Sequence, residues 1–317
     1  MKLRDIIALG FIVVLAIGGR IMSGGDGSGE RRPDPRQFAP PLARAPSLET
    51  SRGSGGVLPP ESFADPRFIV EVGDKQGPSS GTAFSVNQSG VWITARHVTD
   101  GCDIVGLQKT NGRLVRVRRV KQEGNSDISV LWTGGGTPAM PIIQPQIRIG
   151  EDGYSFGFPK GNPGDVHARV LGRGRMLARG RYNTDEPVVA WSQVRRIPDI
   201  GKDLSGISGG PFVNAKGEVI GVHVAGSPRR GRSYSTAPKS LLAAISSSGV
   251  RPEAHSGALP GSQALNPRKF SRYGDALRSQ LTVAKVACLV GEKWKRMARD
   301  GGAKRSRQDP FTGRTAF

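Results

Sequence analysis

A chain of 317 residues holds one large domain or two small ones. Glycine (45) and proline (23) together exceed a fifth of the residues and hydrophobic residues make up 36%, which argues for short strands with many turns and polar ends, and against a helical protein. The formal charge of +20 favours solubility and attraction to anionic surfaces, but the excess is scattered without interleaved aromatics or a binding motif, so no specific nucleic-acid partner is expected.

The chain opens with Lys2 and Arg4, then a nearly continuous apolar run from Ile6 to Ile17 and Gly18-Gly19-Arg20. That run is shorter than the roughly 20 residues a bilayer-spanning helix needs. Residues 1–22 therefore read as a signal peptide, with an uncleaved membrane anchor as the rival. Either places the rest of the chain outside the cytoplasm: secreted, periplasmic or tethered to a membrane surface. Residues 23–62 are rich in Gly, Ser and Pro, with few large apolar residues, and read as a flexible linker.

Strand patterns begin near residue 63. Gly81-Thr82-Ala83-Phe84-Ser85-Val86 is a strand, and Val91-Trp92-Ile93-Thr94-Ala95-Arg96-His97-Val98 is an apolar strand running into a short polar turn. Asp127 stands at the mouth of the strand Ile128-Ser129-Val130-Leu131-Trp132. By itself it reads equally well as a turn aspartate after Gly124-Asn125-Ser126. Gly134-Gly135-Gly136 is a loop, and Tyr154-Ser155-Phe156-Gly157-Phe158-Pro159 is a further strand. His167 is placed in the Gly/Pro-rich loop around residues 161–164.

Gly206-Ile207-Ser208-Gly209-Gly210-Pro211 carries the strongest chemical signal. A serine framed by glycines can project its hydroxyl from a tight turn, and bare amides beside it can face a developing oxyanion. A hydroxyl hardly ionises at neutral pH, so Ser208 needs a base within hydrogen-bond reach. Of the four histidines, His255 lies in a basic linker, and His97 alone ends a strand in a setting suited to that task. Asp127 would accept the other imidazole N–H and hold the tautomer. The order is His, Asp, Ser, with spacings of 30 and 81 residues.

Thr94-Ala95-Arg96-His97-Val98, Asp127-Ile128-Ser129-Val130-Leu131, Gly81-Thr82-Ala83-Phe84 and the glycine-framed Ser208 together resemble the trypsin-like (chymotrypsin-fold) serine peptidases, in particular their compact bacterial branch, over residues 63–248. The resemblance implies an all-β fold of two antiparallel six-stranded β-barrels. The catalytic residues would be His97, Asp127 and Ser208, and the oxyanion hole the backbone N–H groups of Gly206 and Ser208. Two departures stand out. Ala83 replaces a common glycine. Ile207 replaces the aspartate that pairs with a freed N-terminus in zymogens, so no N-terminal trimming should be needed to form the oxyanion hole.

Gly221-Val222-His223-Val224-Ala225-Gly226 is the strand expected to line the primary specificity pocket. It resembles the Gly-x-His-x-x-Gly of glutamyl endopeptidases, where the histidine binds the substrate's glutamate. That resemblance makes His223, Val224, Ala225 and Gly226 substrate-binding residues and implies Glu or Gln at P1, reinforced by Lys202, Arg195 and Arg196. The alternative is a core histidine satisfied by a neighbour. Cys102 and Cys288 lie far apart and do not suggest a disulfide framework, so the fold should rest on its core alone. No metal-ligand set, phosphate loop or dinucleotide fingerprint occurs, and no cofactor is expected.

Residues 249–317 carry fourteen Lys/Arg against five Asp/Glu. Val283, Ala287, Val290, Trp294 and Met297 recur at helical spacing, predicting a helix over 274–299, packed on the barrel or lying at a membrane surface. From Gly301 onward the chain reads as disordered. The leading function is a serine endopeptidase acting on protein or peptide substrates. Its rivals are a protease of a viral replication polyprotein, cutting itself after Glu61 or Glu253, and a catalytically silent binding module on the same fold.

Overall fold

The computed structural model describes residues 53, 55–199, 201, 203–253 and 265–303. The apolar leader, most of the Gly/Ser-rich linker, Lys202, His255 and the last fourteen residues lie outside the described residues. Among those described, no helix is long and apolar enough to cross a membrane.

Two sheets carry the structure. The first contains β2 (Ser79–Asn87), β3 (Val91–Ala95), β4 (Ile104–Gln108), β5 (Leu114–Arg116), β6 (Arg119–Gln122), β7 (Ile128–Trp132) and β14 (Val283–Leu289), in the order β5-β4-β14-β2-β3-β7-β6. The second contains β1 (Arg67–Val72), β8 (Asp152–Gly157), β9 (Gly164–Gly180), β10 (Thr184–Ile197), β11 (Pro211–Val213), β12 (Val219–Ser227) and β13 (Arg232–Thr236), in the order β1-β9-β10-β13-β12-β11-β8. β8 also pairs with β9, so β8 to β13 close into a six-stranded ring, with β1 added outside in parallel to the far half of β9. The mostly β, two-sheet fold is the expected one, though each sheet has seven strands rather than six.

Central strands are buried on both faces, as Thr82 to Val86 and Val91 to Ala95 illustrate. Their hydroxyls bond within the sheet: Thr94 Oγ1 donates to the Thr82 carbonyl at 2.6 Å. A hydroxyl satisfied in this way can sit in the core without the penalty of an unpaired polar group.

The C-terminal segment departs from the single helix expected over 274–299. It forms helix α3 (Phe270–Ser279), strand β14 and helix α4 (Glu292–Ala303), after the short α1 (Arg96–Thr99) and α2 (Pro238–Ser247) earlier in the chain. Val283, Val286 and Cys288 are buried in β14, which pairs antiparallel with both β2 and β4. The β-branched valines suit a strand, and Val283 to Leu289 fill the place between the facing edges of β2 and β4 instead of continuing a helix. Arg278 docks α3 on the ring through Asp165, at 2.6 and 3.1 Å, both side chains being buried.

β14 also corrects the reading of the cysteines. Cys102, just after α1, and Cys288 form a disulfide spanning 186 residues. Cys102 finds its partner downstream, because β14 returns beside the turn after α1. His167 is likewise not in a loop. It lies in β9, fully buried, with Nε2 2.8 Å from Asp152 Oδ1. Leu58 is buried and its N–H donates to the Ile147 carbonyl, so this end of the expected linker packs on the domain. Glu253 Oε1 accepts the Gln88 N–H at 2.8 Å and its own N–H donates to the Val86 carbonyl, so it is tied down rather than presented in an open linker.

Candidate active site

α1 begins where β3 ends and puts His97 at the edge of the first sheet, its side chain 30% exposed. β7 starts immediately after Asp127, which is almost fully buried. His97 Nδ1 lies 2.6 Å from Asp127 Oδ2, and the His97 backbone N–H donates to Asp127 Oδ1 at 2.8 Å. The carboxylate thus grips both ends of the histidine, which fixes the ring's orientation and assigns the proton to Nδ1. Burial pushes the imidazole down. The charge and hydrogen bond of Asp127 outweigh it, so His97 stands above its ordinary value of 6.5 even against the nearby Arg181.

Two residues not singled out in the sequence complete this arrangement. Tyr182, at the tip between β9 and β10, donates its hydroxyl to Asp127 Oδ1 at 2.8 Å, under an Arg96 guanidinium 4.0 Å from its ring centroid. The long β9–β10 hairpin therefore reaches from the second sheet to brace the aspartate of the first. Glu186, fully buried in β10, accepts the Asp127 N–H on Oε1 at 2.8 Å. The sequence held a signal for Glu186, because it falls on the buried phase of a strand with Thr184 and Val188. It held none for Tyr182.

Burial, reinforced by the charge of Asp127, pushes the Glu186 carboxyl well above its ordinary 4.5, against the pull of the Asp127 amide. Because the folded value lies above the unfolded one, the stability Glu186 contributes is complete below pH 4.5 and is lost as pH rises through the folded value. Glu186→Gln keeps the acceptor for Asp127 N–H and has no proton to lose. The melting temperature of this variant should therefore climb relative to wild type as pH increases above 4.5. Parallel melting curves at every pH would contradict a titrating Glu186.

Ser208 sits in the turn leading into β11 and is held by its neighbours' backbones. Its carbonyl accepts the Thr82 N–H at 2.8 Å, and the Gly209 N–H donates to the His223 carbonyl at 2.8 Å. Gly209 has φ +88°, and a Cβ there would fall 2.1 Å from the Thr82 carbonyl oxygen, so only glycine fits. Gly206 has φ +98°, with its carbonyl turned to Thr82 Oγ1, which donates to it at 2.8 Å. The Gly206 and Ser208 N–H groups donate to no acceptor among the described residues. Ile207 is buried among Val166, Trp191 and Phe212, where an ion pair could not form.

The Ser208 hydroxyl and His97 Nε2 share no hydrogen bond here. Ser208 and His97 line separate cavities that share Ala225 and Gly226. Such contacts are commonly long before substrate binds. The Ser208 cavity, about 170 Å³, is lined by Gln193, Asp203, Ser205, His223, Ala225 and Gly226 among others. Val224 faces the His97 side instead, and Arg195 and Arg196 do not line the Ser208 cavity: their guanidiniums donate to the Pro267 carbonyl and to Gln193 Oε1.

His223 is almost fully buried, with Nδ1 3.1 Å from Ser155 Oγ. Burial pushes it down to about 3, outweighing its bond to the Ala225 backbone, so it is neutral at working pH. Asp203 is exposed and held below its usual range by hydrogen bonds from the Ser205 hydroxyl and N–H. No group of metal-ligating side chains occurs among the described residues.

Residues 81–222 match the family model "Trypsin-like peptidase domain". "Putative serine protease HhoB" of Synechocystis sp. is 27% identical over 195 residues, covering 60% of this chain and 45% of that protein. "Probable periplasmic serine endoprotease DegP-like" of Hahella chejuensis is 26% identical over 169 residues, covering 51% of this chain and 32% of that protein. The chain thus spans less than half the length of these relatives. Among solved structures, the HtrA-type protease AlgW with decapeptide has a TM-score of 0.44 at 24% identity, covering 53% of this chain and 50% of that one. The active form of the Rv3671c protease from M. tuberculosis has a TM-score of 0.46 at 16% identity, covering 66% and 99%. The motif order, the two-sheet fold and the family match agree that residues 81–222 of this chain are similar to a trypsin-like peptidase domain.

Proposed function

We propose that this protein is a serine endopeptidase in which Ser208, His97 and Asp127 form the catalytic triad. The observation that carries the reading is the double grip of Asp127 on His97, at 2.6 and 2.8 Å, together with a glycine-framed serine whose turn leaves two N–H groups free. In this mechanism His97 Nε2 takes the proton of Ser208 Oγ as that oxygen attacks the peptide carbonyl. The Gly206 and Ser208 N–H groups receive the oxyanion. The protonated imidazole then gives its proton to the leaving amine. Water, activated by the same histidine, hydrolyses the acyl-enzyme. Asp127 stabilises the imidazolium throughout without itself taking the proton.

The cavity beside Ser208 supports a P1 residue of Gln over Glu. His223 is neutral, and its single N–H can pass from the Ala225 backbone to an amide oxygen of the substrate, whereas the ionised Asp203 opposes a second carboxylate. Export from the cytoplasm is supported by the Cys102–Cys288 disulfide, which persists in oxidising compartments, and by the periplasmic designation of one relative. The full chain should react with a fluorophosphonate probe and Ser208→Ala should not. A P1 peptide library should then show a Gln preference that His223→Ala reduces. A well-folded wild type that fails to label would overturn the peptidase reading, and another P1 preference would discard the pocket assignment alone.

A further inference from the structure

A well-formed cavity lies away from the Ser208 site, beside the first sheet. It measures about 610 Å³, within the ~300–1,000 Å³ range of small-molecule sites. Its walls join elements distant in sequence: Trp92 from β3, Leu107 from β4, Val115 from β5 and Ala284 from β14. Trp92, Leu107 and Ala284 are buried, so the floor is apolar. β14 contributes Ala284 to this wall.

Its rim has the opposite character. Lys109, Arg116 and Arg118 line it, no carboxylate does, and none of the three cations is paired with an acidic side chain among the described residues. Other arginines in this protein do find carboxylates, as Arg175 does with Asp185 and Arg278 with Asp165. Arg118 lies across Gly134, where a Cβ would stand 2.3 Å from its Nη2. The rim loop Gly134-Gly135-Gly136 thus leaves room for the guanidinium beside the opening.

A second cavity, about 380 Å³, shares Gln108, Lys109 and Leu281 with the first. Leu281 ends α3 in the left-handed conformation, φ +57°, with the Thr282 N–H donating back to the Leu277 carbonyl. Glycine is the usual residue there. A leucine accepts backbone strain in order to put a branched apolar side chain where the two cavities meet.

We propose that this cavity binds a small amphipathic anion, a straight-chain alkyl carboxylate or alkyl phosphate, with the tail among Trp92, Leu107, Val115 and Ala284 and the head on Lys109, Arg116 and Arg118. An inorganic ion would leave the apolar floor empty, and an uncharged hydrocarbon would leave three cations without a partner. Guanidinium groups suit both head groups, because their N–H fork matches carboxylate and phosphate oxygens.

The test is calorimetric titration of the full chain with dodecanoate, dodecyl phosphate, dodecanol and inorganic phosphate, the amphiphiles kept below micelle formation, with tryptophan fluorescence followed in parallel. Dodecanoate or dodecyl phosphate should bind and change the fluorescence, and the stronger of the two identifies the head group. Dodecanol and inorganic phosphate should each bind at least about tenfold more weakly. Arg116→Glu with Arg118→Glu should weaken the anionic amphiphile by at least about tenfold. Lys109→Glu, an exposed site, serves the same purpose if the double variant melts early. Trp92→Phe should abolish the fluorescence change and keep the heat. The proposal is overturned if no amphiphile binds, if dodecanol matches the anions, if the charge reversals leave affinity unchanged, or if an acidic peptide binds where both amphiphiles fail.

Discussion

Asp127→Asn is expected to lower kcat/KM by about four orders of magnitude while the fold survives. Asp127 Oδ2 lies 2.6 Å from His97 Nδ1 and so dictates which ring nitrogen carries the proton. An amide in its place can present an N–H to Nδ1, which moves the proton to Nε2 and removes the base from Ser208. The pH profile gives an independent reading. Only neutral imidazole acts as base, so activity rises with pH through the His97 value. In wild type that acid limb should lie above 6.5, because Asp127 outweighs the effect of burial. In Asp127→Asn, burial and the Arg181 charge remain without their counterweight, and the residual limb should move below 6.5. A limb that stays in place on substitution would mean that some group other than His97 titrates.

Cys288→Ser should cost on the order of 5 kcal/mol of stability, since the disulfide it breaks closes a loop of 186 residues. For a domain of this size, that corresponds to a fall in melting temperature of about 10 °C or more. Cys102→Ser should match it, and a reductant should lower the wild type by the same amount without moving either variant. A truncation after residue 253 should do worse. It removes β14 and leaves the facing edges of β2 and β4 unpaired over buried apolar surface, a state prone to aggregation. A disulfide effect below about 1 kcal/mol would show that β14 is held by its sheet pairing alone.

The candidate site was legible where its chemistry is local. A tight turn needs glycine at Gly206 and Gly209, because positive φ and the nearness of Phe158 and Thr82 leave no space for a Cβ. A histidine at a strand end and an aspartate at a strand start carry their own sequence settings, and the structure brings His97 and Asp127 together as expected. His223 was legible only as a pair of alternatives. Its face of the strand was readable by alternation, but not that Ser155 would sit 3.1 Å from Nδ1 or that Asp203 would share its cavity.

By itself, the sequence determined the β-rich class, the order His97, Asp127, Ser208 and the glycine turn around Ser208. Each of these rests on backbone conformations and spacings a few residues long. Only the tertiary structure decided the rest. Val283 to Leu289 satisfies helical and strand periods alike, and the vacant place between β2 and β4 selects the strand. Tyr182 meets Asp127 across 55 residues and Cys102 meets Cys288 across 186. Such contacts depend on how two sheets pack, and no local propensity of the chain encodes which distant side chain will arrive.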